Sequence, residues 1–255
     1  KKIVELETEF NTLYQGEGKK KWNYNTDIGI AVEKLRQVIE SISEVIYKEL
    51  FKVALAAILL DVSNLYRNGK CLSYKKKWED RKIVEKDVFD KFDEKVLKEL
   101  KCDIENSITR TKINNKERLY NQDSRIGIAN EVDDNSIDLV ITSPPYLNSR
   151  DYTDTYMLEL KTLGFTKTSE EIKELREKTL RSHVQIKWND TSNVNNELLE
   201  NTLVELEEAS KEIEKWNDSI IDMVRLYFVD MQNIFRVLYG LSLIHISEPT
   251  RLALI

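Results

Sequence analysis

Residues 138–146 read Asp-Leu-Val-Ile-Thr-Ser-Pro-Pro-Tyr, and this stretch governs the interpretation of the whole chain. Its first half is an apolar, β-branched run of the kind found in buried parallel strands. The two prolines predict a stiff exit, because proline fixes its own φ and biases the preceding residue toward extended conformations. Residues 118–123 form a second strand candidate that ends in Asp123. We expect 118–123 and 138–142 to be adjacent parallel strands of an α/β fold.

Helical periodicity dominates the rest of the chain. Apolar residues at three- and four-residue spacing predict amphipathic helices, and a more uniformly apolar run predicts a buried one. On the N-terminal side these helices span residues 28–50, 51–65 and 81–102, with a turn at Asn68-Gly69. Beyond the prolines they span residues 152–163, 169–183, 195–216 and 219–238. The sequence therefore predicts a helix-rich protein whose N-terminal part is mostly helical.

Composition excludes several classes of protein. The 255 residues are 41% hydrophobic and 33% charged, with 7 glycines, which is typical of a helix-rich soluble protein. No apolar run approaches the roughly 18 residues that a membrane span needs. The first residues alternate charged and apolar side chains, so we expect no signal peptide. Two cysteines exclude a disulfide framework and a cysteine-based metal site, and a cytoplasmic location is expected.

The segment Ser143-Pro144-Pro145-Tyr146, after an apolar strand, resembles the fourth motif of the amino-methyltransferases that act on DNA bases. The resemblance extends loosely from about residue 118 to residue 238. It implies a partial Rossmann-like methyltransferase fold, S-adenosylmethionine as cofactor and double-stranded DNA as substrate. It also implies a restriction-modification setting, with a cognate restriction endonuclease as a possible partner.

The resemblance assigns catalytic roles to the motif. An exocyclic amine is a poor nucleophile because its lone pair is delocalised into the ring. The hydroxyl of Ser143 and the carbonyl of Pro144 would each accept one N–H of that amine. Pro145 would keep the loop stiff, and Tyr146 would offer a flat face for a base flipped out of the duplex. The methyl group would then move in a direct displacement that needs no metal.

The sequence leaves three interpretations of the function open. Serine at the first motif position is most often associated with N4-cytosine methylation, whereas aspartate is more common for N6-adenine. RNA and protein amide methyltransferases share the architecture but typically begin the motif with asparagine. A protein of a different class, a helical nucleic-acid-binding or scaffold protein, would use Ser-Pro-Pro-Tyr as a structural turn.

Residues near the motif are further candidates. Asp123 matches the position of an acid that the family places close to the adenine of the cofactor, although an acid at a strand end also forms turns. Asn148, Arg150 and Asp151 follow the motif closely enough to contact the flipped base or a phosphate. An ion pair between Arg150 and Asp151 is the alternative.

Two features depart from the family. The glycine-rich cofactor loop, aromatic-x-Gly-x-Gly, is not found in the sequence. A net charge of −6 is unusual for a protein that must neutralise phosphates. Two basic runs with an aromatic residue, at 19–22 and 75–78, suit contact with a nucleic-acid backbone, although charge runs are usually just solvated.

The C-terminal tail reads differently from the rest. Residues 241–251 resemble the read-through translation of a sequencing adapter. We therefore expect three parts: a helical segment at 1–115, a partial methyltransferase catalytic domain at 116–240 and a non-native tail at 241–255. The tail should lack specific packing, and the chain should be an incomplete enzyme that is inactive alone.

Overall fold

The computed structural model describes residues 12–69, 71–110, 119–148, 151–213 and 217–242, apart from the side chains of 107–110 and 129. The chain divides into two compact units. The first combines Lys1–Glu117 with Arg150–Leu175, and the second combines Arg118–Ser149 with Arg176–Ile255. Each unit is thus assembled from two separate stretches of sequence.

Helices dominate the first unit, as the periodicity predicted. Its elements in chain order are α1 (Thr26–Glu40), α2 (Val45–Val62), β1 (Leu65–Arg67), β2 (Leu72–Tyr74), α3 (Glu85–Glu94), α4 (Lys101–Arg110), α5 (Tyr152–Thr155), α6 (Met157–Thr162) and most of α7 (Ser169–Glu177). A 3₁₀ turn, Trp78–Asp80, precedes α3, and a π-helical segment, Lys95–Leu100, joins α3 to α4. Strands β1 and β2 pair antiparallel, with Leu65 opposite Tyr74. The predicted Asn68-Gly69 turn joins them, and Gly69 has a φ of 84°.

The predicted helix over 28–50 is two helices in the structure. Helix α1 ends at Glu40, where the Ser41 hydroxyl donates to the Val38 carbonyl at 2.6 Å. A serine hydroxyl competes with the helical ladder in this way, so it favours helix ends. Helix α2 then begins at Val45. The periodicity missed this break because the apolar spacing continues across it.

The core of the first unit forms where α1, α2 and α6 meet. Tyr24 is fully buried there, and its hydroxyl lies 3.2 Å from the Thr162 hydroxyl. Burial raises the pKa of Tyr24 well above its usual value. Each fully buried leucine or isoleucine stabilises the fold by roughly 1.5–3 kcal/mol relative to exposure. The side chains in this core with 2% exposure or less are those of Tyr24, Ile28, Ala31, Val32, Leu55, Ile58, Leu59, Val62, Val88 and Leu158.

The second unit is organised by its last helix. It contains the 3₁₀ turn Ile128–Asn130, helix α8 (Glu197–Glu212) and the long helix α9 (Ser219–Leu241). Met223 and Val224 of α9 pack against Leu199 of α8 in a small apolar cluster. The same helix buries a charged residue, Asp230, which is 1% exposed.

Asp230 is paired with two arginines from distant parts of the second unit. The Nε and backbone N–H of Arg181 donate to one carboxylate oxygen at 3.1 and 3.0 Å, and its terminal nitrogen donates to the other at 2.6 Å. Arg125 adds a bond at 3.3 Å. Burial lowers the pKa of Arg181, but its bonds to Asp230 and Asp190 outweigh that effect and raise it overall. These bonds compensate for the cost of burying a charge inside the unit.

The two predicted parallel strands are not observed. Residues 119–123 and 138–142 form neither strand nor helix, and Arg118 lies outside the described residues. A parallel strand needs neighbours for its backbone groups. The described residues contain one sheet, the antiparallel pair β1–β2 of the other unit. They also contain two isolated parallel bridges, Tyr14 with Tyr24 and Ile137 with Ser242. The prediction of adjacent parallel strands is therefore wrong for this structure, whose described part is helix-rich with one small sheet.

The tail prediction is also wrong at its first two residues. Leu241 completes α9 and is 2% exposed, because it lies seven residues beyond Ile234 and continues the apolar face of the helix. Its carbonyl accepts the N–H groups of Ser136 and Ile137, both at 3.0 Å. Residues 243–255 lie outside the described part of the chain.

Among the described helices, none combines the length and the apolarity that a membrane crossing requires.

We predict that replacing Asp230 with alanine lowers the free energy of unfolding by about 3–5 kcal/mol, because it leaves two arginines without their shared carboxylate. Asp222→Ala is the matched control on the same helix: its side chain is half exposed and pairs with Arg225 at 2.8 Å. A partly exposed pair of this kind contributes about 0–1 kcal/mol. Urea denaturation followed by circular dichroism measures both. Equal, small losses in the two variants would contradict this account of Asp230.

Candidate functional site

The motif segment, residues 138–146, lies between two fixed points of the second unit. At its start, the Ile137 N–H donates to the Leu241 carbonyl at the end of α9 at 3.0 Å. At its end, Leu147 packs against the cluster of Leu199, Met223 and Val224. The next residue, Asn148, donates its N–H to the Ser182 carbonyl at 2.9 Å. The segment is thus held at both ends within one compact unit.

The motif side chains face solvent between those two points. Ser143 is exposed, both prolines are half-buried, and Tyr146 is 57% exposed. No peptide bond in the described residues is cis, so both prolines are trans. A hydroxyl, a carbonyl and a phenol ring are therefore presented on a short, stiff stretch that a ligand can reach.

The apolar run before the prolines is exposed as well. Leu139 is 74% exposed and Ile141 is 87% exposed. A buried parallel strand would be covered on both faces. Residues 138–142 have the composition of such a strand, but their side chains are exposed. Contiguous exposed apolar side chains of this kind mark surfaces that interact with something else.

Asp123 lies at a turn in the second unit, where its charge is neutralised by Arg125. The Arg125 guanidinium donates to both carboxylate oxygens, at 2.9 Å and 2.5 Å, and the Arg125 N–H adds a bond at 2.9 Å. These bonds lower the pKa of Asp123, so the carboxylate is ionised throughout the neutral range. Its side chain remains 31% exposed. The exposed part of Asp123 is therefore accessible to a ligand, while Arg125 donates to both of its oxygens.

Arg125 connects this candidate residue to the buried anchor of the unit. Besides Asp123, it binds the Asp230 carboxylate at 3.3 Å and the Lys178 carbonyl at 3.2 Å. The sequence pattern did not predict a role for Arg125, Arg181 or Asp230. Asp230 lies on the apolar face of the predicted helix over 219–238, and an acid in such a position is rarely buried unless it is paired. That position could have indicated a buried ion pair.

The three residues predicted to bind substrate lie in different surroundings. Asn148 is exposed and has a φ of 51°, a left-handed conformation that asparagine tolerates better than most residues. Arg150 lies outside the described residues. Asp151 is buried in the first unit as the N-cap of α5, where it accepts the Thr153 N–H at 2.9 Å. The carboxylate of Asp151 therefore has a structural role in helix capping.

A groove of about 680 Å³ lies elsewhere in the second unit, between α8 and α9. None of the predicted site residues lines it, and its most exposed aromatic side chains are Phe235 and Tyr239. Among the described residues there is no cluster of histidine, cysteine and carboxylate side chains that could hold a metal ion. The groove and the motif segment are separate features of the unit.

Comparison with known proteins gives relatives of one kind. No protein-family model matches the chain, and no solved structure matches it. It is 29% identical over 263 aligned positions to the type II methyltransferase M.AvaI of Nostoc sp., an alignment that covers 90% of this chain and 52% of that protein. M.AvaI of Anabaena variabilis gives the same figures.

A third relative matches a shorter part. The chain is 33% identical over 159 positions to the type II methyltransferase M.BsoBI of Geobacillus stearothermophilus, which covers 55% of this chain and 31% of that protein. The chain spans about half the length of the M.AvaI relatives that it matches. Over most of its own length, it is similar in sequence to type II methyltransferases.

Proposed function

We propose that the chain is part of a DNA methyltransferase that transfers a methyl group from S-adenosylmethionine to the exocyclic N4 amine of cytosine. The observation that carries this proposal is the Ser-Pro-Pro-Tyr segment at 143–146, accessible to solvent and held at both ends. Similarity to type II methyltransferases over 90% of the chain supports it. In this proposal the protein works in the cytoplasm, within a restriction-modification system that includes a cognate endonuclease.

The motif residues perform the chemistry on the substrate amine. The Ser143 hydroxyl and the Pro144 carbonyl each accept one N–H, which draws the nitrogen toward a tetrahedral geometry and exposes its lone pair. Because Pro144 and Pro145 each have a fixed φ, the two acceptors need little reorganisation when the base arrives. Tyr146 stacks against the flipped base and holds its ring plane.

Asp123 is the residue we assign to the cofactor. S-adenosylmethionine supplies the methyl group when it is bound, and its adenine amine and ribose hydroxyls are hydrogen-bond donors. The ionised and partly exposed carboxylate of Asp123 fits such donors. Arg125 orients that carboxylate and leaves part of it open to the ligand.

The proposal also covers the domain around the motif and two residues that follow it. Residues 116–240 would form the catalytic domain of Rossmann-like type. The apolar composition of residues 138–142 and the similarity to type II methyltransferases support this assignment. Asn148 and Arg150 would contact the base or a phosphate near the motif.

We predict that Tyr146→Ala lowers kcat/KM for methyl transfer by roughly 5- to 150-fold, since a base–aromatic stack contributes about 1–3 kcal/mol. Tyr146→Phe keeps the flat ring and is the matched control, with activity close to that of the wild type. Pro144→Ala should lose less than Tyr146→Ala, because a carbonyl remains at that position. The assay follows labelled methyl groups from S-adenosylmethionine into duplex DNA, with protein expressed from its complete reading frame. A fully active Tyr146→Ala variant would show that the base pocket is assigned wrongly.

The product distinguishes the candidate substrates. After methylation, the DNA is digested to nucleosides and the modified nucleoside is identified by mass. We expect N4-methylcytosine, because serine is the first motif residue. Detection of N6-methyladenine would show that the target base is adenine. Labelled RNA or protein beside unlabelled DNA would overturn the assignment of DNA as the substrate. No transfer to any of the three would favour a non-enzymatic helical protein.

A further inference from the structure

Two lysine runs that are far apart in the sequence come together on one surface of the first unit. The runs lie at 19–21 and 75–77, and each is followed by a tryptophan. The rings of Trp22 and Trp78 contact each other edge to face, with centroids 4.6 Å apart. The ring of Tyr74, at the end of β2, lies 5.0 Å from that of Trp78. This aromatic cluster places the two basic segments side by side.

A buried asparagine fixes the backbone of both segments. Asn64 is 2% exposed, and its side chain donates to the Trp22 carbonyl at 3.2 Å. Its own N–H donates to the Asn23 carbonyl at 2.8 Å, and its carbonyl accepts the Lys75 N–H at 2.9 Å. The juxtaposition of the two runs is therefore part of the folded unit, since buried polar groups are expensive to leave unpaired.

The six lysines divide into two kinds. Lys75 points inward and donates to the carbonyls of Leu60 and Ser63 at 2.7 and 2.8 Å, and Lys19 donates to the Tyr14 carbonyl at 3.3 Å. The other four, Lys20, Lys21, Lys76 and Lys77, are exposed. We call these four residues, around the Trp22–Trp78 contact, the lysine surface.

The lysine surface differs from four lysines on α3, the π-helical segment and α4 of the same unit. Within the described part of the chain, none of its four ammonium groups has a carboxylate within 4 Å. Lysines on α3, the π-helical segment and α4 are instead paired with an acid four residues away; these are Lys86, Lys95, Lys98 and Lys101. The segments 17–22 and 75–81 carry seven basic and three acidic side chains, on a chain whose net charge is −6. Positive charge is thus concentrated locally on an acidic protein.

We propose that the lysine surface binds the phosphate backbone of duplex DNA. Lysines without a carboxylate partner are point charges that neutralise phosphates and release condensed counterions, so they contribute affinity without reading sequence. Lys21, whose ammonium also lies 5.3 Å from the centre of the Tyr74 ring, keeps its full charge in that contact. The choice of DNA over other polyanions rests on the proposed function. A local patch of this kind explains how an acidic chain approaches DNA, because the field near a surface depends on nearby charges more than on the total.

The test compares two quadruple variants with the same change in net charge. One carries Lys20→Gln, Lys21→Gln, Lys76→Gln and Lys77→Gln. The control carries glutamine at the four paired lysines 86, 95, 98 and 101. Binding of a labelled duplex is measured by fluorescence anisotropy, without cofactor, between roughly 50 and 200 mM salt. Circular dichroism verifies that both variants are folded, and a Lys76→Gln, Lys77→Gln double variant provides a milder change.

We expect the lysine-surface variant to lose at least about tenfold in affinity, and its slope of log K against log salt to fall by about 3–4. The control should keep the wild-type slope and bind within about threefold of it, since its lysines already neutralise acids. Equal losses of duplex affinity in both variants would show that only the net charge matters, and would overturn the assignment. Unchanged binding by the lysine-surface variant would overturn it as well.

Separate readouts distinguish this proposal from the proposed function. Wild-type protein that binds an RNA duplex more tightly than a DNA duplex of equal length would contradict the choice of partner. If methyl transfer to DNA is observed while both variants bind equally, the DNA-binding role of the lysine surface is refuted and the enzyme assignment is supported. If no methyl transfer is observed but the lysine-surface variant alone loses duplex binding, the DNA-binding role is supported and the enzyme assignment is refuted.

Discussion

The second unit depends on one buried carboxylate. Asp230 lies in the middle of α9 with almost no exposure, and a charge in that position is tolerated only when it is paired and hydrogen-bonded. Arg181 and Arg125 supply those bonds from two other parts of the unit. Through Arg125 the same anchor reaches Asp123, the candidate cofactor residue. The end of α9 also holds the start of the motif segment through Ile137. One helix therefore positions both halves of the candidate site.

Local patterns predicted the helices well and the long-range contacts poorly. Three- and four-residue spacing of apolar side chains identified α9 and α8, because that signal is contained within each helix. The same spacing ran across the break between α1 and α2, where Ser41 ends one helix before the next begins. The pairing of Asp230 with arginines 49 and 105 residues away carries no local signature. Sequence alone could mark Asp230 only as an acid on an apolar face.

At the motif, composition predicted the residues of the candidate site but not their secondary structure. Ser143 to Tyr146 was recognised from its letters, and the structure places it in an accessible position. The apolar residues before it have the composition of a buried strand, yet strand formation needs partners that no single segment can specify. The lysine runs give the opposite case. Each is unremarkable in sequence, and their meeting at the Trp22–Trp78 contact is visible only in three dimensions.

In the proposed enzyme, the exposed segment 138–148 binds the substrate base and Asp123 binds the cofactor. Amide hydrogen exchange of both regions, with and without duplex DNA and the non-reactive cofactor analogue sinefungin, measures whether each is covered by its ligand. We expect fast exchange in the free protein at residues 138–143 and 146, because these residues are exposed and outside regular structure. With both ligands present, exchange over 138–148 and around Asp123 should slow by at least about tenfold, while α3 is unaffected. Unchanged exchange over 138–148 at saturating ligand would contradict the account.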